Sequence, residues 1–394
     1  METRVRIKKC SILLIFLIIP FFRPDFISAM YGGSFLEKAF QLWRILAFVI
    51  IFGLYVVREP KKTDIDLILL LLYQMILFCS GISHGEDVSS RVVDIGNGLG
   101  ILMLTKYYAR RYPYEYVKVF FDYFFAVIVM NAVLTVLFPS GLNHAVTSNA
   151  RVNFMGKDNM VSLTFLLSMV FSVFYRIINK DSIRPTLLLI IILATELYYF
   201  SGSGIVAITL VVFYLVFLKD NMLANKLISP ITVTAVFIFL EITCVFTYNV
   251  EIFSWVFQIL KKDMTFSTRI YYWQTALHQL KGEIVFGTGS GVVHLWSGKY
   301  YSHNAIMDIL LKGGVVGVFA WGMMMGIPFF RMKWEKLRVI KGFLSVIMLA
   351  FLLVGLVEGL EDRMAFMAFY SIICVSDLLE KSDPFSSGLM QKYM

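Results

Sequence analysis

The sequence has little charge for its size. Only 16% of its 394 residues are charged, against about a quarter in soluble domains. Hydrophobic residues make up 58%, and the mean hydropathy is +0.74. A water-soluble chain cannot bury that much apolar surface, so the composition excludes both a cytosolic globular enzyme and a disordered protein.

Cysteine is also scarce, and its distribution is uninformative for catalysis. Cys10, Cys79, Cys244 and Cys374 lie in or beside apolar runs, and no CxxC is present. Such positions are typical of small buried thiols and argue against a disulfide framework or a metal site.

Familiar soluble-enzyme motifs are missing as well. The glycine-rich segment 287–291 lacks the Lys-Ser/Thr pair of a phosphate-binding loop, and its spacing is not Gly-x-Ser-x-Gly. The DxD pattern at 64–66 opens an apolar run, where helix capping explains it better than metal binding. We therefore expect neither a metal nor a cofactor.

What the sequence does have is long apolar runs. A spanning helix needs about 20 mostly apolar residues, and twelve stretches approach that length. They predict an all-α, polytopic integral membrane protein with about twelve transmembrane helices and one membrane domain, 1–394. The predicted cores are 10–22, 41–57, 64–82, 92–109, 116–138, 159–178, 185–200, 203–218, 227–248, 303–327, 342–358 and 364–380.

Loop charge predicts the orientation in the cell membrane. The first apolar run follows four basic residues and lacks a small-residue cleavage site, so we interpret it as an uncleaved first span. With the N-terminus cytoplasmic, most of the 36 lysines and arginines lie inside, as the positive-inside rule requires. An even number of spans places the C-terminus inside too.

One predicted external connection, 249–302, is much longer than the others. It is too apolar for a disordered linker. Within it, Ile270, Trp273, Leu277 and Leu280 share one helical face. We expect this loop to carry amphipathic helices at the outer membrane surface.

Polar residues at membrane depth are the functional candidates, because each costs a few kcal/mol on insertion. Some of them, Asp308 and Lys312 for example, can equally pair with each other at i, i+4. The set comprises Arg151, Asp158, Asn159, Glu196, Arg269, His303, Asn304, Asp308, Lys312, Glu358, Glu361, Asp362 and Arg363.

The sharpest pattern begins at His303. His303-Asn304 opens the tenth predicted span at its outer end, where a helix N-terminus suits an anion such as a diphosphate. The following Gly313 and Gly317 form a GxxxG pair, and Gly322 and Gly326 repeat it. By default such pairs allow close packing of helices.

These residues resemble a known family. His303-Asn304 followed by Gly314-x-x-Gly317 is similar to the signature of the O-antigen ligase and polysaccharide polymerase (Wzy-like) superfamily. The resemblance covers roughly 145–330, and the rest agrees by hydropathy alone. Weaker similarities are Arg269-x-x-x-Trp273, the glycine turn 286–291, the segment 151–159 and the serine-rich turn 201–204.

The resemblance implies a lipid-linked sugar donor, transfer to an acceptor hydroxyl outside the membrane, and release of undecaprenyl diphosphate. Arg151 and Arg269 would hold the diphosphate through bidentate hydrogen bonds. His303 would accept the hydroxyl proton. The expected substrate-binding residues are Asn304, Trp273, Asn159, Asp158 and Lys312. Implied partners are a flippase and a chain-length regulator; nucleic acid is not expected.

Three functions stay open at this stage. Ligases of the superfamily commonly carry Arg-x-x-x-Leu, and Trp273 stands in the leucine position here. That departure favours a polymerase of capsular, exo- or O-antigen repeat units over a ligase. Twelve spans with buried charge also fit a lipid-linked oligosaccharide flippase. Transporters, however, often have interrupted helices at corresponding positions in the two halves of the chain, and this sequence shows no such pair.

Overall fold

The computed structural model describes residues 2–31, 34–58, 64–87, 89–144, 151–249, 251, 258, 269–295, 298–332, 338–361 and 363–382. About 78% of the structure is helical. The expected helical class is therefore confirmed, although five short strands accompany the helices.

The described residues form sixteen α-helices. In the first half of the chain they are α1 (Glu2–Ile18), α2 (Phe26–Tyr31), α3 (Phe35–Arg58), α4 (Ile65–Ser83), α5 (Ser89–Arg111), α6 (Pro113–Leu137), α7 (Asp158–Asn179) and α8 (Ile183–Tyr199). The second half contains α9 (Gly202–Phe213), α10 (Met222–Leu227), α11 (Pro230–Leu240), α12 (Arg269–Gln279), α13 (Ala305–Arg331), α14 (Arg338–Gly355), α15 (Met364–Cys374) and α16 (Ser376–Lys381). A π-helical turn extends α9 over Tyr214–Leu218, and another extends α11 over Glu241–Phe246.

Every predicted apolar core falls on one of these helices or its direct continuation. Among the described residues, six helices are long and apolar enough to cross a membrane: Phe35–Val57, Ile65–Ser83, Pro113–Leu137, Met160–Asn179, Ala305–Arg331 and Arg338–Gly355. Three further apolar helices are shorter: Gly202–Leu218, Pro230–Phe246 and Met364–Cys374. The chain is thus a helical protein with membrane-spanning candidates, and the number of twelve spans stays a prediction.

The chain divides into two compact units. Unit 1 comprises Met1–Lys61, Gly100–Ile208 and Ala368–Met394, and unit 2 comprises Lys62–Leu99 and Thr209–Met367. Whether 1–394 acts as one membrane domain stays a prediction.

Aromatic side chains form the core of unit 1. Phe120 of α6 stacks on Phe171 of α7 with ring centroids 4.6 Å apart, and Phe22 meets Phe120 edge-on at 5.9 Å. Phe121 stacks on Tyr175 at 4.0 Å. Because lipid is as apolar as these rings, their contribution comes from van der Waals packing.

Close packing of α4 on α13 organises unit 2. A Cβ atom at Gly313 would lie 2.6 Å from Leu77 Cδ2, and one at Gly317 would lie 3.5 Å from the same atom. The first GxxxG pair therefore packs against α4, as its spacing predicts. The second pair differs, since a Cβ at Gly322 would meet nothing within 4 Å.

The opposite end of α4 explains the DxD pattern. Asp64 precedes the helix, and its Oδ1 accepts hydrogen bonds from the backbone N–H groups of Asp66 and Leu67. The Asp66 carboxylate accepts from Arg331 Nη2 at 2.8 Å. Asp64 therefore caps the helix, as its position predicts, and Asp66 pairs with Arg331.

Helix α13 is broken at Gly314. Its backbone there is left-handed, with φ +63°, and the preceding loop binds the freed groups. The N–H groups of Val315 and Val316 donate to the carbonyls of Ile284 and Val285 at 2.9 and 3.2 Å. Irregular backbone is tolerated at membrane depth only when such partners exist. From the sequence, Gly314 stands out only as part of the Gly314-x-x-Gly317 pattern of the family resemblance, which does not predict this break.

The loop also contains strands that the sequence analysis did not anticipate. The predicted amphipathic stretch forms α12, but the chain then builds an antiparallel hairpin, β4 (Val292–Leu295) with β5 (Gly298–Tyr301). Its valines and tyrosines are good strand formers. A second small sheet, in unit 1, pairs β1 (Asn143–His144), β2 (Arg151–Asn153) and β3 (Gly156–Lys157).

We predict that Gly314→Ala destabilises the protein by about 2 kcal/mol or more, because backbone with φ +63° and ψ −161° is adopted essentially by glycine alone and costs other residues about 1–3 kcal/mol. The new Cβ would also collide with the backbone of Val285 and Phe286. The measurement is the thermal unfolding midpoint of the detergent-solubilised protein. Gly322→Ala, in the same helix and with open space around it, is the control. Equal midpoints for the two variants would contradict the break.

Candidate functional site

The backbone of His303 is the first unusual feature of the predicted site in unit 2. His303 immediately precedes the N-cap of α13, and its φ is +51°. A non-glycine residue rarely adopts this left-handed conformation. Strain of this kind persists where the surroundings determine it and is frequent at functional sites. The side chain keeps 38% of its surface exposed.

Glu358, in the segment after α14, connects two of the predicted catalytic residues. Its Oε2 lies 3.4 Å from His303 Nδ1, and its Oε1 accepts from Arg269 Nη2 at 3.2 Å. Arg269 Nε also donates to the Val357 carbonyl at 3.1 Å. Arg269 and His303 come from separate motifs, and one carboxylate holds both.

The arrangement has the form of an oriented base. If Nδ1 of His303 carries the proton, it donates to Glu358, and Nε2 is left as an acceptor. The Glu358 side chain is only 7% exposed. A buried carboxylate of this kind selects the tautomer of the imidazole and stabilises the imidazolium that would form after proton transfer.

Asn304 is buried and serves the fold. Its Oδ1 accepts from the backbone N–H of Met307 at 2.7 Å, which caps α13. Its Nδ2 donates to both oxygens of Glu241, at 3.1 and 3.2 Å, and to the Leu356 carbonyl at 3.2 Å. Because the residue has no exposed surface, direct contact with a sugar would require a rearrangement.

Trp273 is likewise enclosed. Its ring has no exposed surface, and Nε1 donates to the Ser302 carbonyl at 3.0 Å. It therefore ties α12 to the residue before His303. The neighbouring Tyr272 stacks on Tyr300 with centroids 5.3 Å apart, and its ring lies 6.4 Å from the His303 ring. These two rings form an aromatic pair beside the imidazole.

Lys312 belongs to a second buried cluster, around Glu361. Both Lys312 and Arg91 pair with Oε1 of Glu361, and Tyr73 OH donates to Oε2 at 2.7 Å. Burial raises the pKa of Glu361, but the charges of Lys312 and Arg91 outweigh burial and lower the pKa to about 2. Asp308, one turn from Lys312, accepts from Ser302 Oγ at 2.5 Å.

Arg151 lies in unit 1, on strand β2. Its guanidinium carbon sits over the rings of Tyr198 and Tyr199, at 5.2 and 5.3 Å from their centroids. Nη1 donates to the Pro139 carbonyl at 3.3 Å. The two tyrosine rings thus hold the guanidinium by cation–π contacts.

Unit 1 also contains the serine-rich turn. Glu196 is buried, and each of its oxygens accepts from Ser162 Oγ at 3.0 Å. Only a glycine fits at position 204, because a Cβ there would overlap this carboxylate. The side chains of Asp158 and Asn159, and Asp362 altogether, lie outside the described residues.

The reactive side chains were easier to predict from the sequence than the carboxylates that pair with them. Glu358 and Glu361 were recognised as polar residues at membrane depth but received no role. Glu241 was overlooked, although a single carboxylate within the apolar run 227–248 was the available signal.

No group of three His, Cys, Asp or Glu side chains in the described ranges is arranged to hold a metal ion. Comparison of the chain with models of protein families, with curated proteins and with solved structures found no match.

We predict that Glu361→Gln destabilises the fold at neutral pH by about 3 kcal/mol, because two buried cations lose their counter-charge. A carboxyl with a lowered folded-state pKa stabilises the fold above its unfolded pKa, here 4.5, and this stabilisation is lost as pH falls toward 2.

Thermal midpoints at pH 7 and at lower pH provide the measurement. Wild type should lose stability as the pH falls from 4.5 toward 2, and the variant should lack this loss because it has no carboxyl at position 361. Glu283→Gln, which removes an exposed carboxylate 3.6 Å from His84, should change the midpoint little. A Glu361→Gln protein as stable as wild type at pH 7 would contradict the buried cluster.

Proposed function

We propose that the chain is a membrane glycosyltransferase, a polymerase that joins undecaprenyl-diphosphate-linked oligosaccharide repeat units into capsular, exo- or O-antigen polysaccharide. One observation carries the proposal. His303 and Arg269, which the family resemblance assigns to catalysis from two separate motifs, contact opposite oxygens of the same carboxylate, Glu358.

In this proposal, the acceptor hydroxyl loses its proton to His303 Nε2 while its oxygen attacks the anomeric carbon of the donor. The bond between that carbon and the diphosphate oxygen breaks, and undecaprenyl diphosphate leaves. Glu358 stabilises the imidazolium through Nδ1. No metal takes part, because guanidinium groups neutralise the leaving group.

Arg269 is the proposed guanidinium at the leaving group. Glu358 and the Val357 carbonyl hold its Nη2 and Nε, which fixes the plane of the group before substrate arrives. Preorganised donors of this kind stabilise developing charge without reorganisation. Arg151 is a further proposed catalytic residue, supported by the family resemblance alone.

The Tyr272–Tyr300 pair is the proposed surface for a sugar ring, because aromatic faces pack well against the C–H face of a pyranose. The two rings are partly exposed and lie beside His303. Lys312, Asp158 and Asn159 are retained as proposed substrate-binding residues, whereas the enclosed Asn304 and Trp273 are better suited to positioning.

The proposed setting is the outer face of the cell membrane, with about twelve spans and cytoplasmic termini. The basic loops predicted from the sequence support this orientation. A flippase that delivers the lipid-linked unit and a chain-length regulator are the proposed partners.

The test uses purified protein, synthetic undecaprenyl-diphosphate-linked repeat units and detergent micelles. Wild type should lengthen the glycan and release undecaprenyl diphosphate. His303→Ala should lower elongation by about a hundredfold or more, since the base is lost. His278→Ala, which removes an exposed imidazole on α12, should behave as wild type.

Other outcomes decide against the polymerase. Transfer of a finished chain to a different acceptor, without elongation, would identify a ligase. Movement of the lipid across liposomes without elongation would identify a transporter. Elongation by His303→Ala at the wild-type rate would remove His303 from the reaction.

We further predict that Arg151→Lys loses most elongation activity, because lysine keeps the charge but lacks the two-pronged donor geometry. The expected loss is about tenfold or more, measured in the same assay with folding checked by thermal midpoint. Arg184→Lys is the matched control, since Arg184 also lies over aromatic rings in unit 1, at 5.0 Å from the Phe125 centroid. Normal activity in Arg151→Lys would exclude Arg151 from the site.

A further inference from the structure

Glu241 is a buried carboxyl that the proposed reaction does not use. It opens the π-helical turn Glu241–Phe246 at the end of α11 and is 4% exposed. Among the described residues, no cation pairs with it, and its hydrogen bonds come from Asn304 Nδ2 at 3.1 and 3.2 Å.

Such a placement costs free energy. A carboxyl in an apolar run loses its hydration, and one neutral amide compensates for little of that loss. The π-helical turn is itself rare, and such turns are frequent at functional sites. In it, the Thr247 N–H donates to the Ile242 carbonyl, five residues back, at 2.9 Å. Both features point to a task for Glu241 beyond packing.

The task follows from the geometry of Asn304. Its amide oxygen must face the Met307 N–H, a donor, while its amide nitrogen must face Glu241 and the Leu356 carbonyl, which accept. Glu241 thereby helps to determine which way the amide points. Asn304 in turn links α11, the start of α13 and the segment that carries Glu358.

The residue that the Glu241–Asn304 contact positions is His303. It lies directly before Asn304 in left-handed backbone, and its ring must reach Glu358 Oε2. If the Asn304 anchor is lost, the start of α13 loses its links to Glu241 and to the Leu356 carbonyl. A displacement of about 1 Å at a reacting group can cost a hundredfold in rate.

We propose that Glu241 is a positioning residue for His303, acting through the side-chain amide of Asn304. The kinetic part of the test rests on the proposed polymerase function. The structural part does not, since it measures the accessibility and orientation of the imidazole directly.

The kinetic test compares three variants. Glu241→Leu removes the acceptor and should lower kcat about tenfold or more with KM within about twofold, because substrate contacts are intact. Glu241→Gln keeps an acceptor oxygen for Asn304 and should stay within about threefold of wild type. Cys244→Ala, a buried substitution in the same π-helical turn, is the control and should match wild type.

The second measurement does not depend on turnover. Diethyl pyrocarbonate modifies accessible imidazole, and mass spectrometry gives the rate at each histidine of the native protein. Glu241→Leu should change the rate at His303 by about threefold or more while the exposed His278 serves as internal reference. Glu241→Gln and Cys244→Ala should leave both rates unchanged.

A pair of variants covers the case in which Glu241→Leu does not fold. Asn304→Asp places two carboxylates together and should lose activity and alter His303 labelling. Adding Glu241→Gln restores a donor–acceptor pair and should recover both partly, by about fivefold or more.

The outcomes separate the two proposals. If wild type does not elongate but His303 labelling depends on Glu241, the polymerase proposal fails and the positioning role stands. If elongation occurs and Glu241→Leu matches wild type in kcat and labelling, the positioning role is overturned. A Glu241→Gln protein that fails as badly as Glu241→Leu, or a double variant without recovery, would also overturn it.

Discussion

Two carboxylates three residues apart hold four basic side chains of unit 2. Glu358 accepts from Arg269 and contacts His303, while Glu361 accepts from Arg91, Lys312 and Tyr73. A cation taken out of water is tolerated only when it is paired with good geometry, and removing one partner leaves an expensive unpaired charge. The conformation of the short segment after α14 therefore determines where four cationic or protonatable side chains lie.

Helix α13 is fixed at two points, at its start beside His303 and at its break at Gly314. Asn304 caps it and binds Glu241 and Leu356, and at Gly314 the loop 284–288 supplies the partners of the broken backbone. Between these points the helix has little freedom to rotate. Left-handed backbone at His303 is sustainable because Asn304 is fixed in this way on one side, and on the other the Ser302 carbonyl accepts from Trp273 Nε1.

The helices could be predicted from the sequence, whereas most contacts between distant side chains could not. Apolar runs located the helices because their signal is local and repeats over many residues. The meeting of Arg269 with Glu358 is set by tertiary packing over 89 residues. The pairing of strand 292–295 with strand 298–301 is likewise encoded by no single run. The enclosed positions of Trp273 and Asn304 were not predictable either, since burial follows from neighbours that the local pattern does not contain.

The contrast between the two carboxylate clusters indicates which of them is suited to chemistry. Lys312 is a cation already held by Glu361, and that carboxylate has a pKa lowered to about 2 by its neighbours, so the cluster has no group ready to accept a proton. The imidazole of His303 is different, because it is partly exposed and contacts an acceptor that stabilises its charged form. A general base must be accessible to its substrate. The cluster around Glu358 contains a partly exposed imidazole, whereas the two cations of the other cluster are already paired with Glu361.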